Sequence, residues 1–112
     1  MSNTEPNRAR SAAPVRKVLR CRARLQLSDG KTFDVRTLDI TGGGISVMAQ
    51  HGFNAGELCS LVFESPINGA LQTFTAEVKI VYATRADTDG TRLGLRFMSA
   101  DPLRTQLIES LY

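Results

Sequence analysis

Three times in this chain an Asp-Gly or Asn-Gly pair stands between two runs in which apolar and polar residues alternate: Asp29-Gly30, Asn68-Gly69 and Asp89-Gly90. Such pairs supply the backbone that a tight hairpin needs, and alternation with period two makes a ribbon that is apolar on one face only. A chain punctuated in this way is driven toward antiparallel strands wrapped around one core.

The strands follow in order. Cys21, Ala23, Leu25 and Leu27 alternate with Arg20, Arg22, Arg24 and Gln26, which predicts a half-buried strand with a basic outer face. Ser28-Asp29-Gly30-Lys31 turns it into a second strand over about Thr32 to Ile40. Phe33 and Val35 fit one face of that strand whereas Leu38 and Ile40 fit the other, so a bulge near Arg36-Thr37 is expected, as in a strand bending round a barrel. Gly42-Gly43-Gly44 is read as a positive-φ turn. A third strand runs from Ile45 to about Ala49, and His51 to Gly56 reads as a loop. Leu58 to Phe63 is a fourth strand, followed by the Asn68-Gly69 signal, where a loop of four or five residues also fits. Phe74, Ala76, Val78, Ile80 and Tyr82 form the inward set of the fifth strand, and Leu93, Leu95 and Phe97 that of the sixth. Asp101-Pro102 then predicts a capped helix start, with Leu103, Leu107, Ile108 and Leu111 as its apolar stripe. The expected fold is all-β: a small six-stranded antiparallel β-barrel with one C-terminal helix that plugs or flanks an open end, preceded by a flexible basic N-terminal arm.

At 112 residues the chain is one domain, long enough to bury roughly two thirds of its unfolded surface. Residues 1–14 form the arm and 15–112 the barrel domain. No apolar run approaches the ~20 residues of a membrane span, so a cytoplasmic protein is expected. Cys21 and Cys59 lack a C-x-x-C pairing and read as free thiols in a reducing compartment. The net charge of +3 conceals an asymmetry. Residues 1–24 carry seven Lys and Arg against Glu5 alone, 7 − 1 = +6, which leaves the body at 3 − 6 = −3. A nucleic-acid binder more often spreads its basicity over the fold. A basic arm on a mildly acidic body points to one anionic partner captured at one place.

Catalysis is not suggested. His51 is the one histidine and sits in a glycine-flanked loop, so no Ser-His-Asp or Cys-His pair is indicated. Cys21, His51 and Cys59 match no zinc spacing, and no metal or other cofactor is expected. The glycine run lacks the Lys-Ser/Thr of a P-loop and precedes a strand. On pattern alone the arginines are as readily a solvated strand face that deters edge pairing. What weighs against that reading is Asp39-x-Thr41-x-x-Gly44 one hairpin later, because pairing across Asp29-Gly30 returns Asp39 and Thr41 to the neighbourhood of Arg20 and the arm.

Arg16-Lys17-Val18-Leu19-Arg20 followed by Asp39-Ile40-Thr41-Gly42-Gly43-Gly44 resembles the paired R-x-x-x-R and D/N-x-S-x-x-G motifs of the PilZ domain, a bacterial receptor for the second messenger cyclic di-GMP. The likeness covers roughly Val15 to Tyr112. Arg92 to Phe97 looks like the family's last barrel strand, and the helix after Pro102 falls where the family places one. Thr41 stands where the family usually has Ser. The hydroxyl survives, with a methyl added.

The resemblance implies that Arg16 and Arg20 clasp the nucleotide from the arm while Asp39 and Thr41 read it from the barrel wall. Gly43 and Gly44 would let the backbone approach closely, and Lys17, Arg22 and Arg24 are further candidates. The chemistry suits such a ligand. An arginine fork matches guanine O6 and N7 or two phosphate oxygens, and a carboxylate accepts from guanine N1–H and its amino group. A monomer that orders its arm on binding and signals to an unidentified downstream protein is then expected. Two other readings stand beside it. One is a PilZ-like adaptor that binds no nucleotide and works through protein contacts. The other is a single-stranded nucleic-acid barrel, disfavoured because the chain lacks tryptophan and Phe33, Phe74, Tyr82 and Phe97 fall on inward phases.

Overall fold

The computed structural model of the chain describes residues 15–86 and 90–111. The expected arm (1–14) and most of the expected last hairpin turn (87–89) lie outside the described residues. The strands are β1 (Lys17–Val18), β2 (Arg22–Leu27), β3 (Thr32–Ile40), β4 (Gly44–Ala49), β5 (Leu58–Ile67), β6 (Ala70–Arg85) and β7 (Thr91–Phe97), followed by helix α1 (Pro102–Ser110).

Every strand pair is antiparallel, and the sequence β3-β2-β5-β6-β7-β4 closes on itself because β4 also pairs with β3. Six strands therefore make a closed barrel, which removes the open edges that a flat sheet of this size would expose. The two-residue β1 is an addition to the expected set. It lies antiparallel to the end of β3, Lys17 opposite Ile40 and Val18 opposite Asp39, just before β2 takes up the pairing at Arg22–Arg36.

Alternation fills the interior as the period requires. Leu25, Ile40, Val47, Leu61, Val78, Ile80 and Leu93 are fully buried, and Leu107 joins them from α1. Full burial of one such side chain contributes about 1.5–3 kcal/mol. Helix α1 starts as expected: Asp101 is its N-cap, accepting from the Leu103 N–H at 3.0 Å, with Pro102 in the first turn. Its seat on the barrel includes Arg104, a buried residue outside the apolar stripe. The guanidinium carbon lies 3.9 Å from the Phe97 ring centroid, and Nη2 donates to the Ser99 carbonyl. Burial lowers the Arg104 pKa, and the Asp101 carboxylate acts against that shift.

Several details differ from expectation, each for a local reason. The Asn68-Gly69 turn is the tight two-residue form, Ile67 pairing with Ala70, with φ of 52° and 83° at the two turn residues. This lets β5 run on through Ile67 instead of ending at Phe63. The expected bulge in β3 falls at Leu38, where the ladder to β4 shifts between Thr37 and Asp39. Phe33 is half-exposed, packing edge-on against Phe53 with ring centroids 5.2 Å apart. Tyr82 is exposed, not inward, because a second shift interrupts the β6–β7 ladder between Ile80 and Tyr82. The glycine run also corrects its expected reason: none of Gly42, Gly43 and Gly44 has positive φ. Gly42 and Gly43 have open space where a Cβ would stand, whereas a Cβ on Gly44 would meet the Leu95 carbonyl oxygen at 2.5 Å. Close packing of β4 on β7 demands glycine at 44, and a left-handed backbone does not.

Candidate functional site

The two bulges decide what the outer wall presents. Strict alternation from Val35 would send Asp39 into the core and Ile40 to solvent. The extra residue at Leu38 reverses both, so Ile40 is buried and Asp39 emerges opposite Ser46. The shift after Ile80 does the same for Tyr82, which then pairs with Gly94. One row of cross-strand partners results, Val18–Asp39–Ser46–Gly94–Tyr82, crossing β1, β3, β4, β7 and β6. The Tyr82 ring lies directly over Gly94, in space that any Cβ at 94 would occupy.

Along this row is a cleft of about 130 Å³, lined among others by Arg16, Asp39, Thr41, Gly44, Ser46 and Tyr82. Asp39 is 16% exposed and faces two guanidinium groups. Arg92 Nη2 approaches its Oδ2 to 3.3 Å, and Arg16 Nη1 the same oxygen to 3.7 Å. Thr41 holds the turn above it. Its Oγ1 accepts from the N–H groups of Gly43 (3.2 Å) and Gly44 (3.1 Å), while its own N–H donates to the Gly44 carbonyl at 2.8 Å.

The residues singled out in the sequence fall into two groups. Arg16, Asp39, Thr41 and Gly44 line the cleft. Gly43 is not among the lining residues; it is exposed, with its carbonyl accepting from the Phe97 N–H at 3.0 Å. Arg20 is exposed and makes no ion pair with another described residue. Four residues of extended chain, roughly 13 Å, separate it from Arg16. Lys17 faces the other way, and its ammonium donates to the carbonyls of Ile108 (2.9 Å) and Leu111 (3.1 Å) at the end of α1. Arg22 and Arg24 line a separate, broader concavity of about 1140 Å³ on the outer wall of β2, β3 and β5, where Arg24 lies 3.8 Å from Asp34.

Sequence reading missed Arg92, Ser46 and Tyr82. The alternation of β7 places Arg92, Gly94 and Arg96 on its outward phase, a signal that was legible for Arg92. The exposure of Tyr82 depends on a bulge with no local mark. Among the described residues no three His, Cys, Asp or Glu side chains cluster as metal ligands would. Cys59 is buried in β5, and burial, helped by Glu57 and Glu77, raises its thiol pKa to about 11. Cys21 Sγ lies 3.3 Å from Thr37 Oγ1.

The barrel, its terminal helix and the two motifs on one wall define a class, and comparison with known proteins agrees. The PilZ domain profile matches residues 9–112, and the chain belongs to that family. Among solved structures it is similar to the PilZ domain with c-di-GMP of YcgR from Escherichia coli, with a TM-score of 0.68 at 18% identity, covering 88% of each chain. It is also similar to the Bacillus subtilis inhibitor of motility MotI/DgrA, with a TM-score of 0.69 at 16% identity. That match covers 87% of this chain and 52% of the other. YcgR from Escherichia coli in complex with c-di-GMP matches with a TM-score of 0.67 at 16% identity, over 86% of this chain and 42% of that one. No curated protein matches it in sequence.

Proposed function

We propose that this protein is a cyclic di-GMP receptor, not an enzyme, whose barrel wall reads a guanine while the segment around Arg16 clasps the phosphates. The observation that carries the reading is the meeting of Arg16, Asp39, Thr41 and Gly44 at one cleft in a PilZ-family chain. Asp39 supplies acceptors for guanine N1–H and its amino group, and Arg16 supplies a planar cation for phosphate or for guanine O6 and N7. Tyr82, exposed at the end of the row, offers a ring face against which a base can stack.

The size of the cleft supports a closing motion. At about 130 Å³ it is smaller than the ~300–1,000 Å³ typical of ligand pockets. In this reading the remaining wall comes from the chain before β1 together with Arg20. Lys17 is engaged with α1, which leaves the exposed Arg16 and Arg20 as the cations of this segment, and an anion held between them draws it toward the wall. The reordered surface is then what a downstream protein recognises. Limited proteolysis is expected to show cleavage near Val15 that cyclic di-GMP suppresses, and equal cleavage in both states removes the closing step.

Calorimetric titration of the full chain with cyclic di-GMP, GTP and single-stranded RNA tests the receptor itself. Heat of binding is expected with the first and not with the other two. Silence at millimolar cyclic di-GMP ends the proposal.

A further inference from the structure

The geometry points to Arg92 as the residue that positions Asp39 for reading the base, and so as a specificity determinant of the cleft; this rests on the cyclic di-GMP reading above. Asp39 faces two cations at one oxygen, Oδ2, and the two are not equivalent. Arg16 is 60% exposed, lies at 3.7 Å and stands just outside β1. Arg92 is 38% exposed, meets hydrogen-bond geometry at 3.3 Å and grows from β7, where its backbone is fixed between Met48 of β4 and Thr84 of β6.

A ligand that draws Arg16 to its phosphates takes one of these cations away. The other stays, because its Cα belongs to the barrel wall. A carboxylate has about four lone-pair sites on its two oxygens. One donor arriving from a fixed direction at Oδ2 sets the plane of the group and leaves the remaining sites for the ligand. Guanine presents two donors along that edge, N1–H and the exocyclic amino group, and both are satisfied together only if the carboxylate plane lies along the base. Without Arg92, Asp39 is free to turn, and the amino group loses its acceptor while the phosphates keep their donors.

The test compares cyclic di-GMP with cyclic di-inosine monophosphate, which lacks the amino group, on wild type and on R92A, R92K, D39A and the D39A/R92A double variant. R92A is expected to weaken cyclic di-GMP binding about tenfold, the scale of one charge-assisted hydrogen bond. It should weaken the inosine analogue less, so that the ratio of the two affinities falls. R92K restores part of the ratio, and R92A added to D39A costs less than about twofold, as expected for coupled residues. An unchanged ratio in R92A, or effects of R92A and D39A that simply multiply, overturns the positioning role. If the wild type binds neither dinucleotide, the receptor reading itself has failed. Wild-type binding with an unmoved ratio sinks this inference alone.

Discussion

The β5–β6 hairpin and the wall made by β3, β4, β7 and the far half of β6 belong to one barrel but are built differently. Between β5 and β6 ten consecutive residue pairs, Leu58–Lys79 to Ile67–Ala70, run without a slip. Its inward set stacks Phe63 on Phe74, with ring centroids 5.0 Å apart and planes 12° from parallel. The opposite wall contains both register shifts, and each turns a side chain outward, Asp39 at one and Tyr82 at the other. A regular ladder can only repeat inside-outside. Placing a carboxylate and an aromatic ring on one outer row, with aliphatic side chains directly beneath, requires the ladder to be broken. The regular hairpin carries unbroken pairing and a stacked aromatic pair, and the interrupted wall carries the proposed cleft.

That division is broken if damage to the hairpin acts through the cleft alone. Phe63→Ala removes a buried ring and leaves Phe74 without its stacking partner, and is expected to cost about 3–5 kcal/mol of folding free energy. Urea unfolding should show a large fall in the midpoint. The surviving folded fraction should keep its preference for cyclic di-GMP over GTP. A loss of that preference with little change in stability would show that the hairpin serves the site directly.

A smaller effect is expected at the joint between the two regions. Gly44→Ala drives a Cβ against the Leu95 carbonyl and must spread β4 from β7, costing about 1–3 kcal/mol as other overpacked positions do. Gly42→Ala meets nothing within 4 Å and should stay within about 0.5 kcal/mol of wild type. Equal thermal midpoints for the two variants would contradict the close packing assigned to Gly44. If G44A also weakens cyclic di-GMP binding and G42A does not, the turn and the wall act as one unit.

The same contrast explains what was legible in the sequence. Alternation and turn chemistry are local, so the hairpins, the inward residues of β2 and β7, and the Asp101-Pro102 helix start could be read directly. The four motif residues that meet at the cleft are singled out by the resemblance to the PilZ motifs, and spacing across the hairpin adds only that Asp39 and Thr41 return toward Arg20 and the arm. A bulge leaves only a weak trace. In β3 the phase change between Val35 and Ile40 was visible but its position was off by a residue. In β6 the run Val78, Ile80, Tyr82 keeps perfect phase, so nothing announces the shift. Contacts made by barrel closure, such as Arg92 with Asp39, depend on which strands become neighbours and at what register, information held by no single segment.

Lys17 is the sharpest case, since it lies between Arg16 and Val18, reads in the sequence as a further candidate for the nucleotide, and donates to the last carbonyls of α1. A helix leaves its last carbonyls without internal donors, and an ammonium placed there both fills them and opposes the helix dipole. Lys17→Ala should therefore cost about 0.3–1 kcal/mol, the scale of one cation at a helix C-terminus, read as a slight fall in the urea midpoint. Hydrogen exchange should show the speeding confined to the last turn of α1. Cyclic di-GMP affinity should change far less than it does for Arg16→Ala. If instead K17A and R16A weaken the nucleotide equally while the midpoint holds, Lys17 leaves α1 when ligand arrives, and the helix becomes part of what the nucleotide moves.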